Sequence, residues 1–199
     1  MKVGVLALQG AFREHKQALE RLGATVVEVR LPQHLEGLSG VILPGGESTT
    51  MAKLMGLYGL DRALPEFYAS GGAIWGTCAG AISIASEIEG RPQQPRLGLL
   101  EMQVARNDYG RQVASFETNL EVEGFTSPFH AIFIRAPRIT ALGEGVEVWA
   151  SYEGDPVMVH WERLMATVFH PELSGDDRVH ARFLELASAL PKNAGVVSD

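Results

Sequence analysis

Residues 73–85 read Ala73-Ile74-Trp75-Gly76-Thr77-Cys78-Ala79-Gly80-Ala81-Ile82-Ser83-Ile84-Ala85, an apolar run that passes into small residues through Gly-x-Cys-x-Gly. The apolar run predicts a buried strand and the small residues a helix, which puts the cysteine on a sharp strand-to-helix turn. A glycine two places to either side lets the backbone close that turn. If a helix opens at Ala79, the thiol lies at its N-terminus, where free N–H groups and the dipole favour thiolate. The plainer alternative is an inert, buried cysteine chosen for packing. Flanking glycines would weaken a purely packed segment, so the context favours a nucleophile.

Outward from this turn, residues 3–8 form an apolar run and residues 25–29 a β-branched one. Between them, residues 12–22 carry Ala18, Leu19 and Leu22 at helical spacing, with Ala11 just before, and Gly23 closes the segment. Residues 40–43 predict a third strand running into Pro44-Gly45-Gly46, and residues 49–55 and 60–69 predict helices. Strand, helix, strand order implies an α/β fold, an open, mostly parallel sheet flanked by helices with its sites at the C-terminal strand ends. The second half is rich in short β runs at 99–105, 131–135, 146–152, 157–161 and 164–169, expected to extend the sheet as antiparallel hairpins. An amphipathic helix over 176–190 closes a single domain, residues 1–190, and a polar tail follows over 191–199.

At 46% hydrophobic and 21% charged residues the chain has globular composition. Its formal net charge of −7 offers no basic stripe, which argues against nucleic acid and anionic membranes as partners. A small polar substrate or another protein fits better. One cysteine allows neither an internal disulfide nor a cysteine-rich zinc site. The opening run is too short for a signal peptide or a membrane span, so a cytoplasmic location is expected.

A cysteine nucleophile requires a base. Phe169-His170-Pro171-Glu172 follows the apolar run 164–169, and residues two apart on an extended chain project from one face. His170 could take the thiol proton while Glu172 orients the ring, the division of labour in a triad. Singly, each has a plainer reading, a loop-capping histidine and a solvated carboxylate. A zinc-deaminase reading of His-x-Glu fails for lack of cysteine ligands, leaving no metal site, and the chemistry calls for no cofactor. His15 and His34 read as surface residues and His160 as a satisfied strand histidine, while His130 and His180 show no comparable partners. Pro44-Gly45-Gly46-Glu47-Ser48 is either a loop whose N–H groups receive an oxyanion or a tight turn with Ser48 or Thr49 as helix cap. In the first case the Gly46 region and the Ala79 N–H would stabilise the tetrahedral intermediate of carboxamide cleavage.

Residues 44–48, 76–80 and 169–172, in that order, resemble class I (triad) glutamine amidotransferases. More narrowly, Leu6-Ala7-Leu8-Gln9-Gly10-Ala11-Phe12, Arg106-Asn107-Asp108-Tyr109-Gly110-Arg111-Gln112, Ser115-Phe116-Glu117 and Ala131-Ile132-Phe133-Ile134-Arg135-Ala136-Pro137 resemble the glutaminase subunits of pyridoxal 5'-phosphate synthases. The likeness runs from about Val3 to the final helix. Asp108-Tyr109 departs from the small residue and aromatic expected there. The resemblance implies a flavodoxin-like architecture and hydrolysis of L-glutamine by Cys78, His170 and Glu172. It implies that Gly46, Glu47, Ser48, Arg106, Ile134 and Arg135 hold the amino-acid end, and that Gly46 and Ala79 form the oxyanion hole. It also implies ammonia transfer to a separate synthase subunit, with Gln9 and Gly10 near that interface and docking reorienting the Gly45–Gly46 peptide. The rival readings are a free-standing cysteine hydrolase of γ-glutamyl or peptide substrates and a non-catalytic redox sensor built on Cys78.

Overall fold

A computed structural model describes residues 1–106 and 115–189. The first half alternates β1 (Lys2–Leu6), α1 (Phe12–Arg21), β2 (Thr25–Val29), β3 (Gly40–Leu43), α2 (Ser48–Leu57), α3 (Leu60–Ala69), β4 (Ala73–Thr77) and α4 (Ala79–Ile84). The second half supplies β5 (Ala85–Ile88), β6 (Leu100–Ala105), β7 (Ser115–Leu120), β8 (Phe129–Ile134), β9 (Arg138–Leu142), β10 (Glu147–Tyr152), β11 (Asp155–Trp161), β12 (Leu164–Thr167) and α5 (Arg178–Ser188). The main sheet has seven strands in the order β10-β11-β12-β4-β3-β1-β2. Its five strands from β12 to β2 are parallel, and β11 and β10 add antiparallel at one edge.

Strands β3, β4 and β12 are buried along their whole length and β1 after its first residue, as a parallel sheet covered on both faces requires. That is why these segments read as continuous apolar runs. The expectation that the later β runs all extend this sheet is corrected: only β10, β11 and β12 join it. Strands β5, β6 and β9 form a separate three-stranded sheet, and β7 pairs with β8 alone. The burial of β7 and β8 alternates residue by residue, the pattern of a hairpin packed on one face. Strands β5, β7 and β9 were absent from the sequence expectation; β5 follows α4 directly because that helix lasts only six residues.

Helices α1 and α5 pack together over β4, where Trp75 lies edge-on to His15 and His180 and 5.5 Å from the Phe183 ring. Among the described residues no helix is long and apolar enough to cross a membrane. The expected tail over 191–199 and the 107–112 block lie outside the described residues.

Candidate active site

Adjacent parallel strands β12, β4, β3 and β1 bring four loops to one sheet edge, the position where open α/β sheets place ligands. Cys78 follows β4 with φ 48° and ψ −104°, so the left-handed strain of the turn is carried by the cysteine itself. Its N–H donates to the Thr167 carbonyl at 2.8 Å, which pins the turn to β12. The flanking glycines serve close approach. A Cβ on Gly76 would run into the Gly80 carbonyl, and one on Gly80 into the Leu43 carbonyl.

His170 lies beyond β12, and its N–H donates to the Ile132 carbonyl at 2.8 Å. Glu172 sits in a 3-10 turn, Pro171–Leu173, so the pair meets across a turn and not by alternation along a strand as the spacing suggested. The Glu172 carboxylate lies 2.7 Å from His170 Nδ1 with both side chains buried. Burial opposes the imidazolium, but hydrogen bonds and charge from Cys78 and Glu172 outweigh it and push His170 up to about 10. Cys78 and Glu172 thus both act on the His170 ring and stabilise the proton there.

In front of Cys78 and His170 lies a cavity of about 370 Å³. Gly46, Glu47 and Ser48 line one side; Ala79, Arg106, Ile134 and Arg135 complete it, and Ile82 is the one lining residue not anticipated from sequence. Glu172 sits behind the imidazole and does not reach the cavity. Arg135, like Cys78, takes a left-handed backbone, φ 44°, and the Ile134 carbonyl lies 3.9 Å from Cys78 Sγ.

The helix cap expected at Ser48 or Thr49 in the 44–48 loop is corrected. Helix α2 is capped by Glu47, not by Ser48 or Thr49: its carboxylate accepts from the Thr49 and Thr50 N–H groups at 3.1 and 2.7 Å. Hydrogen bonds from Thr49 and then Thr50 draw Glu47 down to about 2, so it is anionic. The Gly45 carbonyl accepts from the Ala11 N–H at 3.2 Å, and the trans peptide turns the Gly46 N–H to the opposite side. Gly45 lies against His170, with its Cβ position 2.5 Å from the ring Cε1, so only glycine lets the loop cover the imidazole. Gln9 and Gly10 stand behind this loop, with Gln9 Oε1 accepting from the Glu47 N–H at 3.0 Å.

Arg106 Nη1 donates to Gln94 Oε1 at 2.8 Å, Gln94 Nε2 donates to Ser48 Oγ at 3.1 Å, and Arg106 Nη2 lies 3.4 Å from Glu47. Gln94 thereby ties the guanidinium to the loop. A lone glutamine in the loop between β5 and β6 carries no pattern that sequence reading could use. Among the described residues no cluster of three or more His, Cys, Asp or Glu is arranged to hold a metal.

Two surface or partnerless assignments are corrected. His15 and His180 are fully buried and face each other, Nδ1 to Nε2, at 2.9 Å. Helical spacing carried the signal, since His15 falls four after Ala11 and four before Leu19, on the apolar stripe. Burial lowers His180 to about 4 and His15 well below its ordinary value, so both rings are neutral. The unfolded chain takes up these protons near pH 6.5 and the folded chain does not. Their contribution to stability is therefore full above pH 6.5 and falls as pH drops toward 4, by about 3 kcal/mol for His180 alone. Urea denaturation at pH 7 and pH 4.5 is expected to show a larger loss for the parent protein than for His180→Leu; equal losses would rule this out.

Relatives match this chain over nearly its whole length. The "Pyridoxal 5'-phosphate synthase subunit PdxT" of Thermus thermophilus is 58% identical over 186 residues, 93% of this chain and 97% of that protein. The protein of the same name from Deinococcus radiodurans is 56% identical over 191 residues, 94% of this chain and 97% of its own. A solved structure titled "Crystal structure of glutamine amidotransferase" superposes with a TM-score of 0.91 at 56% identity, covering 94% of this chain and 99% of that one. Residues 5–188, which include every side chain of the site just described, match the SNO glutamine amidotransferase family, and the chain belongs to it.

Proposed function

We propose that the chain hydrolyses L-glutamine to glutamate and ammonia at Cys78, as the glutaminase subunit of a pyridoxal 5'-phosphate synthase that consumes the ammonia. The observation that carries the reading is that His170, paired with Glu172 and interacting with Cys78, lines with Cys78 a cavity of amino-acid size. Cys78 thiolate attacks the carboxamide carbon, and the resulting oxyanion is met by the N–H groups of Ala79 and Gly46. The first-turn N–H of a helix has no partner within it, which leaves the Ala79 donor free. Imidazolium at His170 gives its proton to the leaving nitrogen as the C–N bond breaks, leaving a γ-glutamyl thioester. Water then attacks the thioester with His170 taking its proton, the C–S bond breaks, and glutamate leaves while Cys78 returns to thiolate beside the imidazolium. Glu172 holds the ring in position throughout.

Arg106 faces the substrate carboxylate, a bidentate match that Gln94 orients. Glu47, Ser48, Ile134 and Arg135 close around the amino-acid end. The lone thiol has to stay reduced to act, which supports a cytoplasmic setting. Membership of a glutamine amidotransferase family argues against a free-standing peptide hydrolase, and the oriented imidazole argues against a simple thiol sensor. Gln9 and exposed Gly10, directly behind the Gly45–Gly46 peptide, are proposed as part of the synthase contact. Titrating the synthase subunit into a glutaminase assay is expected to raise the rate to a plateau at fixed stoichiometry; a rate that never changes would reject docking control.

A further inference from the structure

Behind the triad, on the side away from the cavity, the line of polar contacts continues. His15 on α1 has Nε2 3.4 Å from Glu172 Oε2 and 3.2 Å from Thr77 Oγ1. Its Nδ1 lies 2.9 Å from Nε2 of His180 on α5. His15, Thr77 and His180 are fully buried, and Trp75 packs edge-on against both rings, with its own N–H donated to Thr167 Oγ1 at 3.1 Å. None of these groups takes part in the glutaminase steps above.

The direction of the protons follows from satisfaction. Among the described residues His180 Nδ1 has no hydrogen-bond partner, so a proton there would be an orphaned buried donor. The proton therefore sits on His180 Nε2 and is donated to His15 Nδ1. His15 in turn carries its proton on Nε2, facing the Thr77 hydroxyl and the outer oxygen of Glu172. The reverse arrangement would strand an N–H on His180 and turn a lone pair of His15 toward a carboxylate. Glu172 Oε2 is a buried acceptor with no hydrogen-bond partner among the described residues, and His15 Nε2, 3.4 Å away, is placed to supply one through a contact of a kind that tightens as charge develops in a site. Burial, then the facing His180 and His170, keep His15 from becoming a second cation beside the triad.

We propose that His15, with its tautomer set by His180, is a positioning residue for glutamine hydrolysis: its Nε2–H anchors the outer oxygen of Glu172 so that the inner oxygen stays on His170. The proposal rests on the reading of Cys78, His170 and Glu172 as the glutaminase triad. Its ligand is internal, and its effect is on how accurately the imidazole meets the sulfur. The contact joins α1, β4 and α5 to the catalytic loop after β12, so helix packing is read out at the thiol.

The test compares His15→Leu, which deletes the donor, with His15→Gln, whose amide N–H can reach the same oxygen. In the chain assembled with its synthase, His15→Leu is expected to lower kcat by roughly 10- to 100-fold with the glutamine KM within about twofold, the scale of losing a partner that orients a functional group. Alkylation of Cys78 by iodoacetamide slows in parallel, and His15→Gln regains most of both rates. A packing role alone would move only the melting temperature and leave Gln no better than Leu. Unchanged kcat and alkylation in folded His15→Leu, or equal losses in Leu and Gln, would overturn the proposal. Should His15→Leu not fold, His15→Asn, too short to reach Glu172, replaces it against Gln with the same two outcomes. Alkylation needs no glutamine: loss of the glutaminase reading would appear as no turnover in the parent protein, while loss of this proposal appears as alkylation that ignores position 15.

Discussion

Cys78→Ala is expected to reduce glutamine hydrolysis by at least about 10⁴-fold while the folded chain survives, because removing a nucleophile leaves only binding and oxyanion stabilisation. No second thiol exists to substitute for it. The turn itself does not depend on sulfur: it is held by the Cys78 N–H on the Thr167 carbonyl and by Gly76 and Gly80 in close contact with neighbouring backbone. Alanine meets the same left-handed φ of 48° that cysteine does, so the strain is unchanged. A second readout belongs to the same variant. Burial alone would lower the His170 pKa, and Cys78 is one of the two groups that raise it to about 10, so the alanine variant should titrate His170 at lower pH. Glutamate release and the His170 NMR titration measure the two effects. Near-parental turnover would remove Cys78 from the reaction, and an unmoved titration would remove the sulfur from contact with His170.

The parts of this molecule that were legible in sequence are those where one segment encodes its own geometry. Strands β1, β3, β4 and β12 are buried on both faces and read as continuous apolar runs, and the Gly-x-Cys-x-Gly turn names its own sharpness. His170 and Glu172 were identifiable as a pair because they stand two positions apart; their actual meeting in a 3-10 turn was not, since Pro171 after a strand is compatible with either path. The 85–88, 115–120 and 138–142 strands were missed because small edge sheets alternate over too few residues to stand out. His15 was misassigned by its neighbours: Arg13, Glu14 and Lys16 are polar, but a helix turns them outward and His15 inward. His180 has the same explanation, lying between Val179 and Phe183 on the buried stripe of α5. Contacts such as Gln94 with Arg106, or Gly10 with Gly45, join segments far apart in the chain and have no local signature.

Gly10→Ala is expected to lower kcat by about 10²-fold or more, with Gly23→Ala as its control. Both glycines have left-handed backbones, φ +85° and +81°, so both substitutions bear a similar conformational penalty of about 1–2 kcal/mol. Their surroundings differ. Nothing lies within 4 Å of a Cβ on Gly23, whereas one on Gly10 would drive into the Gly45 carbonyl oxygen and sit 3.0 Å from its carbon. Backbone cannot rotate aside as a side chain can, so relief comes from moving the Gly45–Gly46 peptide. That peptide is fixed on one side by the Ala11 N–H and, at the next residue, by Gln9 accepting from Glu47. Moving it displaces the Gly46 N–H, the donor assigned to the oxyanion, and losing one such donor is worth about 10² to 10³ in rate. Gly23→Ala should keep kcat within about twofold at a comparable loss of melting temperature. Because Gly10 touches the loop and not the substrate, KM for glutamine should change far less than kcat. Parental kcat in Gly10→Ala would mean that the 45–46 peptide does not supply the oxyanion donor, and would leave that role to Ala79.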